Sequence, residues 1–228
     1  MCGMNSPFGQ PRPLVEALEW ATSWEGSGGK GYGFSKQDFE STVKERMSGL
    51  SKGSKYRYHL VNRRRGSSSS MMLFRLVVGK MFYQGAPRLL RSKVSVEPCR
   101  PPENEPVAIE AYPAAVARRF SGNRSYKSDE REKRVPAERA AREEPVAGLG
   151  SAALEEAHGL VVETDGSWRE RFVREPAADT LDSLLRAMQA TRAYTKRNDG
   201  WGVPEECDRN EVPSWTWACS AGTARRRP

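Results

Sequence analysis

The sequence predicts an α/β or α+β fold with few strands. Lys93–Val96 and Val107–Ala111 are short apolar runs typical of strands, and segments with helical spacing precede and follow them. This mixed order of strands and helices is typical of the two classes. The 228 residues include 37 Lys and Arg against 29 Asp and Glu, a formal charge of +8, and no apolar run approaches the roughly 20 residues of a membrane-spanning helix. We therefore expect a folded protein without a transmembrane span.

Three helices are predicted before the first strand. They are Pro13–Ala21, which is amphipathic and has Pro in its first turn, Lys36–Met47, which Ser35 caps, and the mostly apolar Met71–Phe82, interrupted near Gly79. The glycine-rich segment Gly26–Gly33 is interpreted as a flexible loop. A phosphate-binding loop is not favoured, because a helix precedes this segment and Gly31, not Ser or Thr, follows Lys30. Residues 54–70 are basic and serine-rich, as in a solvated loop.

The second half of the chain is predicted to be mainly helical. The predicted helices are Ala114–Phe120, Asp129–Leu149 with breaks at Pro136 and Pro145, and Ala177–Thr195. In the last of these, Leu181, Leu184, Leu185 and Met188 recur at helical spacing, which indicates a buried face. Beyond Asn198 the pattern becomes irregular.

The cysteines and basic residues give only broad indications of compartment and partner. Cys2, Cys99, Cys207 and Cys219 form no paired metal-ligand spacing, and the chain starts without a basic-then-apolar leader. We therefore expect reduced thiols in a cytoplasmic protein, with no small-molecule cofactor. Arginine outnumbers lysine 27 to 10, which is compatible both with nucleic-acid binding and with a genome of high GC content.

Three carboxylates are the candidate site residues. Glu110 lies at the carboxyl end of the clearest apolar strand, the edge at which α/β folds place their chemistry. Asp179 and Asp182 are three residues apart and share one face of the last predicted helix. A metal site is one interpretation, and stabilisation of a helix N-terminus by Asp179 is the alternative.

Four segments of the sequence carry a resemblance to a known family: MNSPFGQPR, GKMFYQGAPRLL, VAIEAYPAAVARRFSGNRSYKSDEREK and ADTLDSLLRAMQA. They resemble segments of the bacterial domain-of-unknown-function family 429, whose members are catalogued as predicted nucleases of the ribonuclease H fold. The similarity extends from about Met4 to about Glu211, so we expect one domain over residues 1–211 and an irregular tail over 212–228.

The resemblance implies a ribonuclease H-like mixed sheet of about five strands flanked by helices. It also implies that Glu110, Asp179 and Asp182 are catalytic residues that bind Mg²⁺ or Mn²⁺. The chemistry would be phosphodiester hydrolysis with two metal ions, one activating water and the other stabilising the leaving oxygen. The expected partner is nucleic acid, and no membrane partner is expected.

Departures from the family pattern modify these expectations. Family members begin with a strand carrying Gly-x-Asp, and this sequence begins near the turn that follows it, so we expect the first strands and their acid to be missing. Asn5 and Asn62 stand where the family has Asp, and amides do not supply a carboxylate's charge. We therefore expect little or no nuclease activity. A non-catalytic nucleic-acid- or protein-binding module remains the alternative.

Overall fold

The computed structural model describes residues 1–21, 23–51, 69–74, 77–92, 94–97, 99–100 and 106–202. Within these ranges the chain forms two compact units. The first comprises Met1–Ala111 together with Gly202, and the second comprises Tyr112–Trp201. Asn62 and the predicted tail over 212–228 lie outside the described residues.

The described part of the first unit contains a small sheet of three parallel strands. Its strands are β1 (Cys2–Met4), β2 (Ser95–Glu97) and β3 (Val107–Glu110), in the spatial order β1–β3–β2. Ala108 is paired with Cys2 on one side and with Val96 on the other. All four residues of β3 are buried, as expected for a central strand covered on both faces. The predicted strands near 93–96 and 107–111 are therefore confirmed.

Strand β1 is not predicted from the sequence, which shows no strand pattern before Pro7. Residues 2–4 pair in parallel with residues 108–110, and Met4 O also accepts a hydrogen bond from Ala111 N at 2.8 Å. A three-residue strand is too short to show an alternating pattern. Its pairing depends on a partner that lies 106 positions later, and local sequence does not reveal such a partner.

Four helices complete the described part of the first unit: α1 (Arg12–Ala17), α2 (Trp24–Gly33), α3 (Lys36–Ser48) and α4 (Val78–Arg91). Helices α1 and α3 confirm two of the predictions. Ser35 Oγ accepts a hydrogen bond from Asp38 N at 3.1 Å and so caps α3. The helices enclose an apolar core that includes Phe8, Leu14, Phe39, Phe82 and Val96.

The prediction of a flexible loop over Gly26–Gly33 is wrong, because this segment belongs to α2. Ser23 Oγ caps the helix through Gly26 N, and the buried Trp24 donates a hydrogen bond from its indole Nε1 to Phe8 O at 2.8 Å. A Cβ added at Gly28 would lie 2.6 Å from Leu90 Cδ1 of α4. Glycine thus permits close helix packing here, and that packing outweighs the low helix propensity of the segment.

The predicted helix over Met71–Phe82 is displaced toward the C-terminus. Residues 71–74 form no helix, although Met71 and Leu73 are buried, and α4 begins at Val78. Gly79 lies in its first turn and donates to Met72 O at 2.8 Å. An apolar run without clear periodicity indicates burial but does not distinguish a helix from a buried irregular segment.

The regular secondary structure described in the second unit is all helical. Its helices are α5 (Pro113–Ser121), α6 (Pro136–Ala147), α7 (Ala152–His158), α8 (Gly166–Arg174) and α9 (Asp179–Thr195). Short 3₁₀ turns occur at Arg131–Lys133 and Gly148–Gly150, and another at Gly200–Gly202 crosses the boundary between the units. Leu181, Leu185 and Met188 of α9 are buried in a second apolar core and Leu184 packs against it, as predicted.

Three predictions for this unit need correction. The helix predicted over Asp129–Leu149 begins only at Pro136, which occupies the first helical turn, where a missing N–H is tolerated. Pro145 lies inside α6 and does not break it. Helices α7 and α8 were not predicted. Ser151 and Asp165 cap them by accepting hydrogen bonds from Leu154 N and Trp168 N.

The protein as described is thus mixed α/β, with a small parallel sheet flanked by helices. Across the described ranges, none of the helices is both long enough and apolar enough to cross a membrane.

Candidate functional site

Glu110 lies at the carboxyl edge of the sheet in the first unit. It is the last residue of β3 and is paired in register with Met4, the last residue of β1. Its side chain is 5% exposed, and Oε2 accepts a hydrogen bond from Phe8 N at 3.0 Å. The carboxylate therefore holds the turn that follows β1. This is the edge at which parallel sheets commonly place functional groups.

Two further side chains near this edge were not selected by the sequence analysis. Glu97 is buried at the end of β2, so two neighbouring strands end in a buried carboxylate. Burial raises the pKa of the Cys99 thiol well above its ordinary value, and the charges of Glu110, Glu25 and Glu97 raise it further. The thiol is therefore protonated at neutral pH and is neither a nucleophile nor a thiolate ligand. Glu97 could have been predicted as a site residue because, like Glu110, it ends a short strand.

Asp182 of the second unit is buried and bound by two side chains. It lies in the first turn of α9 and is 3% exposed. Tyr126 donates a hydrogen bond from its hydroxyl to Asp182 Oδ1 at 2.7 Å, and Lys127 Nζ lies 2.8 Å from Oδ2. Two consecutive residues thus bind the two oxygens of one carboxylate. Tyr126 and Lys127 lie in one of the segments that resemble family 429, and Asp182 lies in another.

The charges around Lys127 favour its ammonium form. Its Nζ lies 3.8 Å from Asp129 Oδ1, and the exposed Asp179 adds a further negative charge nearby. Burial acts to lower the pKa of Lys127, but the hydrogen bond and charge of Asp182, together with the charges of Asp129 and Asp179, outweigh it, so the pKa is raised overall. The pKa of Tyr126 is also raised, first by burial and then by Asp182. Its phenol therefore stays protonated and donates to the carboxylate.

Several interactions fix the positions of these groups. The buried Arg142 of α6 donates from Nη1 to Tyr126 O at 2.7 Å and from Nε to Val173 O at 2.8 Å. Ala178 precedes α9 with φ of 56°, a left-handed conformation unusual for alanine. Its carbonyl accepts a hydrogen bond from Asp182 N at 2.8 Å. The start of α9 is thus fixed by its own backbone hydrogen bond, and the segment that carries Tyr126 is fixed by Arg142.

The predicted site residues are divided between the two units. Glu110 belongs to the first, and Asp179 and Asp182 belong to the second. Their oxygens are ligands that Mg²⁺ and Mn²⁺ prefer, but both oxygens of Asp182 already bind protein groups. Among the residues described, no group of three or more His, Cys, Asp or Glu side chains is arranged to hold a metal ion. The described side chains therefore do not fit an assembled metal site.

No protein-family model, no curated protein and no solved structure matches this chain. The resemblance to family 429 therefore remains a prediction based on the four quoted segments.

The excess of positive charge is concentrated in one stretch of the sequence. Residues 52–65 contain six Lys or Arg and no acid, whereas residues 112–201 contain 16 Lys and Arg against 15 Asp and Glu. In the second unit, Arg124, Arg139 and Arg174 are each paired with a glutamate. The balance of charge in this unit is therefore close to neutral, and most of the formal charge of +8 comes from residues 52–65.

Proposed function

We propose that this chain is a nuclease-related cytoplasmic protein of the ribonuclease H-like fold whose phosphodiester-cleaving site is incomplete. Glu110, Asp179 and Asp182 are the carboxylates assigned to that site. The quoted motifs and the position of Glu110 at the carboxyl edge of a parallel sheet support the assignment. The unpaired thiols of Cys2 and Cys99 are consistent with a cytoplasmic location.

We expect low activity because both carboxylate oxygens of Asp182 already bind Tyr126 and Lys127. Mg²⁺ or Mn²⁺ supplies Lewis-acid and water-activating chemistry to enzymes of this class. A carboxylate that already neutralises Lys127 and accepts from Tyr126 contributes little charge to such an ion. At the turn after β1, Asn5 offers an amide instead of a carboxylate. We therefore expect this chain to cleave nucleic acid weakly or not at all.

The test is a cleavage assay of the full chain with single-stranded, duplex and junction substrates plus Mg²⁺ or Mn²⁺. We expect no cleavage above a metal-free control. The matched variants are Glu110→Gln, which removes the charge at the sheet edge, and Glu163→Gln, which changes an exposed carboxylate. Robust metal-dependent cleavage that is lost in Glu110→Gln and kept in Glu163→Gln would overturn the proposal.

A non-catalytic nucleic-acid-binding module is the second candidate, favoured by the six basic residues and absence of acids over 52–65. Binding through such a segment depends on counterion release and weakens steeply with salt. The same protein, assayed without metal over a range of salt concentrations, separates the two candidates. Replacing Arg63, Arg64 and Arg65 by Ala is expected to reduce the salt dependence, whereas replacing Arg124, Arg139 and Arg174, which are paired with acids, is not.

A further inference from the structure

The ammonium group of Lys127 lies among three acidic side chains of the second unit. Its Nζ is 2.8 Å from Asp182 Oδ2 and 3.8 Å from Asp129 Oδ1, and it interacts electrostatically with Asp179. We propose that Lys127 is an internal counter-cation that takes the place of a divalent ion at Asp182. Asp182 is then an ion-pair acceptor in this chain and not a metal ligand.

The burial of the pair is the first argument for this role. The side chain of Asp182 is 4% exposed and that of Lys127 is 26% exposed. A buried carboxylate without a compensating charge is strongly destabilising, so Asp182 requires a cation. Lys127 supplies one positive charge at hydrogen-bond distance, and Tyr126 satisfies the other oxygen. The carboxylate is thus compensated by groups of the same polypeptide.

The second argument is that the ammonium of Lys127 repels any other cation from Asp182. A divalent ion bound to Asp182 Oδ2 would sit within a few ångströms of the ammonium, and like charges at that distance repel. The ammonium is also held locally, because Arg142 fixes the carbonyl of the neighbouring Tyr126 at 2.7 Å. An attached cation loses rotamer freedom but no translational freedom on pairing, and so competes well against a dissolved ion. Metal binding at Asp182 therefore requires displacement of Lys127.

The inference rests on the proposed function only in treating Asp182 as a metal-ligand position. Its test measures ion binding and stability and not cleavage, so either can fail alone. Cleavage dependent on Glu110 would overturn the proposed function and leave the pairing of Lys127 unaffected. Binding of a metal by Asp182 in the unmodified chain would overturn the inference without demonstrating cleavage.

The experiment is a Mn²⁺ titration of the full chain, followed by the electron paramagnetic resonance of free Mn²⁺. We expect no binding in the unmodified protein that depends on Asp182. Lys127→Met is expected to acquire a Mn²⁺ site at least about tenfold tighter than any in the unmodified chain, because the buried Asp182 carboxylate then lacks its cation. The added site should disappear in Lys127→Met/Asp182→Asn. Lys133→Met, which removes an exposed lysine paired with Glu130, is the matched control and should gain nothing.

If Lys127→Met folds poorly, the unfolding temperatures of the same proteins provide a second test. We expect this variant to unfold roughly 10 °C lower, because the buried carboxylate loses its counter-charge. Adding Mn²⁺ or the second change Asp182→Asn should recover part of that loss. Mn²⁺ binding by the unmodified chain that Asp182→Asn abolishes would overturn the inference. The inference would also be overturned if Lys127→Met bound no additional Mn²⁺ and if neither Mn²⁺ nor the second change Asp182→Asn raised its unfolding temperature.

Discussion

His158 is a buried titratable residue with cationic neighbours. It ends α7, is 1% exposed, and lies close enough to Arg119 and Arg192 to feel their charges. Burial, and secondarily these two arginines, lower its pKa from 6.5 to about 4. Arg192 donates a hydrogen bond from Nη1 to the His158 carbonyl at 3.2 Å. The folded protein therefore keeps this imidazole neutral under mildly acidic conditions in which a free histidine becomes charged.

We expect this difference to make the protein less stable as the pH falls from 7 to 5. In that range the unfolded chain takes up a proton at His158 and the folded chain does not, so the free energy of unfolding decreases. The loss attributable to His158 is about 2 kcal/mol, at about 1.4 kcal/mol for each pKa unit. Urea unfolding followed by circular dichroism at several pH values measures it. His158→Gln should show a flatter pH dependence, and an unchanged slope in this variant would contradict the prediction.

At the same scale, the sequence identified single acids but not their partners. Asp182 and Glu110 were selected from their positions in a helix and a strand, and both are buried there. Spacing along a helix specifies a face but not the groups that lie opposite it. Tyr126 and Lys127 are 56 and 55 positions from Asp182, so their meeting depends on how α5, α6 and α9 pack. Only the family resemblance connects the two, because Tyr126 and Lys127 lie in one of its segments and Asp182 lies in another.

Helix α2 shows how packing can maintain an element that composition disfavours. Two of its glycines have opposite surroundings. Gly28 is buried, and a Cβ there would meet Leu90, whereas Gly29 is exposed and a Cβ there would meet no heavy atom within 4 Å. Gly29 also lines an open groove with Lys30 and Phe34. A Cβ at position 28 would therefore force the Leu90 side chain to move, whereas a Cβ at position 29 would displace nothing.

Gly29→Ala is therefore expected to stabilise the protein by about 0.5–1 kcal/mol, because alanine loses less backbone entropy in a helix. Gly28→Ala changes helix propensity equally but must displace the Leu90 side chain, so it should be less stable than Gly29→Ala. Urea unfolding of the two variants and the unmodified chain measures the order. If Gly28→Ala were the more stable variant, the close packing of α2 on α4 would be refuted.

Several helices that the sequence predicts are stabilised by nearby residues, whereas two of the elements that it misses are stabilised by residues distant in the sequence. Helices α3, α5 and α9 carry their own signals: a serine cap for α3, a proline at the start of α5 and apolar spacing along α9. Strand β1 and helix α2 depend on distant partners, namely β3 and α4. Local sequence therefore predicts elements whose stability is local. Elements stabilised by long-range contacts require the structure.

The two compact units also differ in how far apart in the sequence their contacting residues are. In the first, β1 pairs with a strand 106 positions later. In the second, the helices α5 to α9 lie within residues 113–195 and pack around one core. Proteins rich in local contacts fold faster than those that depend on long-range parallel pairing. The second unit should therefore fold first.

Pulsed hydrogen exchange during refolding tests this expectation. Amides in α5, α6 and α9 are expected to become protected before the amide of Ala111, which bonds to Met4 O across the β1–β3 pair. The reason is the entropy of closing the long loop between the paired strands. Protection of Ala111 that preceded or coincided with that of the helices would show that the sheet forms early.

The parallel pairing of β1 with β3 has a consequence during synthesis on the ribosome. At about 5–20 residues per second, residues 108–110 are made roughly 5–20 s after residues 2–4. For that interval β1 has no partner, and its peptide groups remain available to strands of other nascent chains. The helices α1 to α4 are translated within the same interval, so the apolar side chains that will form a core with Ala108 of β3 are present before the strand itself. Translation speed between the codons for Met4 and Val107 therefore sets how long this region needs protection from aggregation.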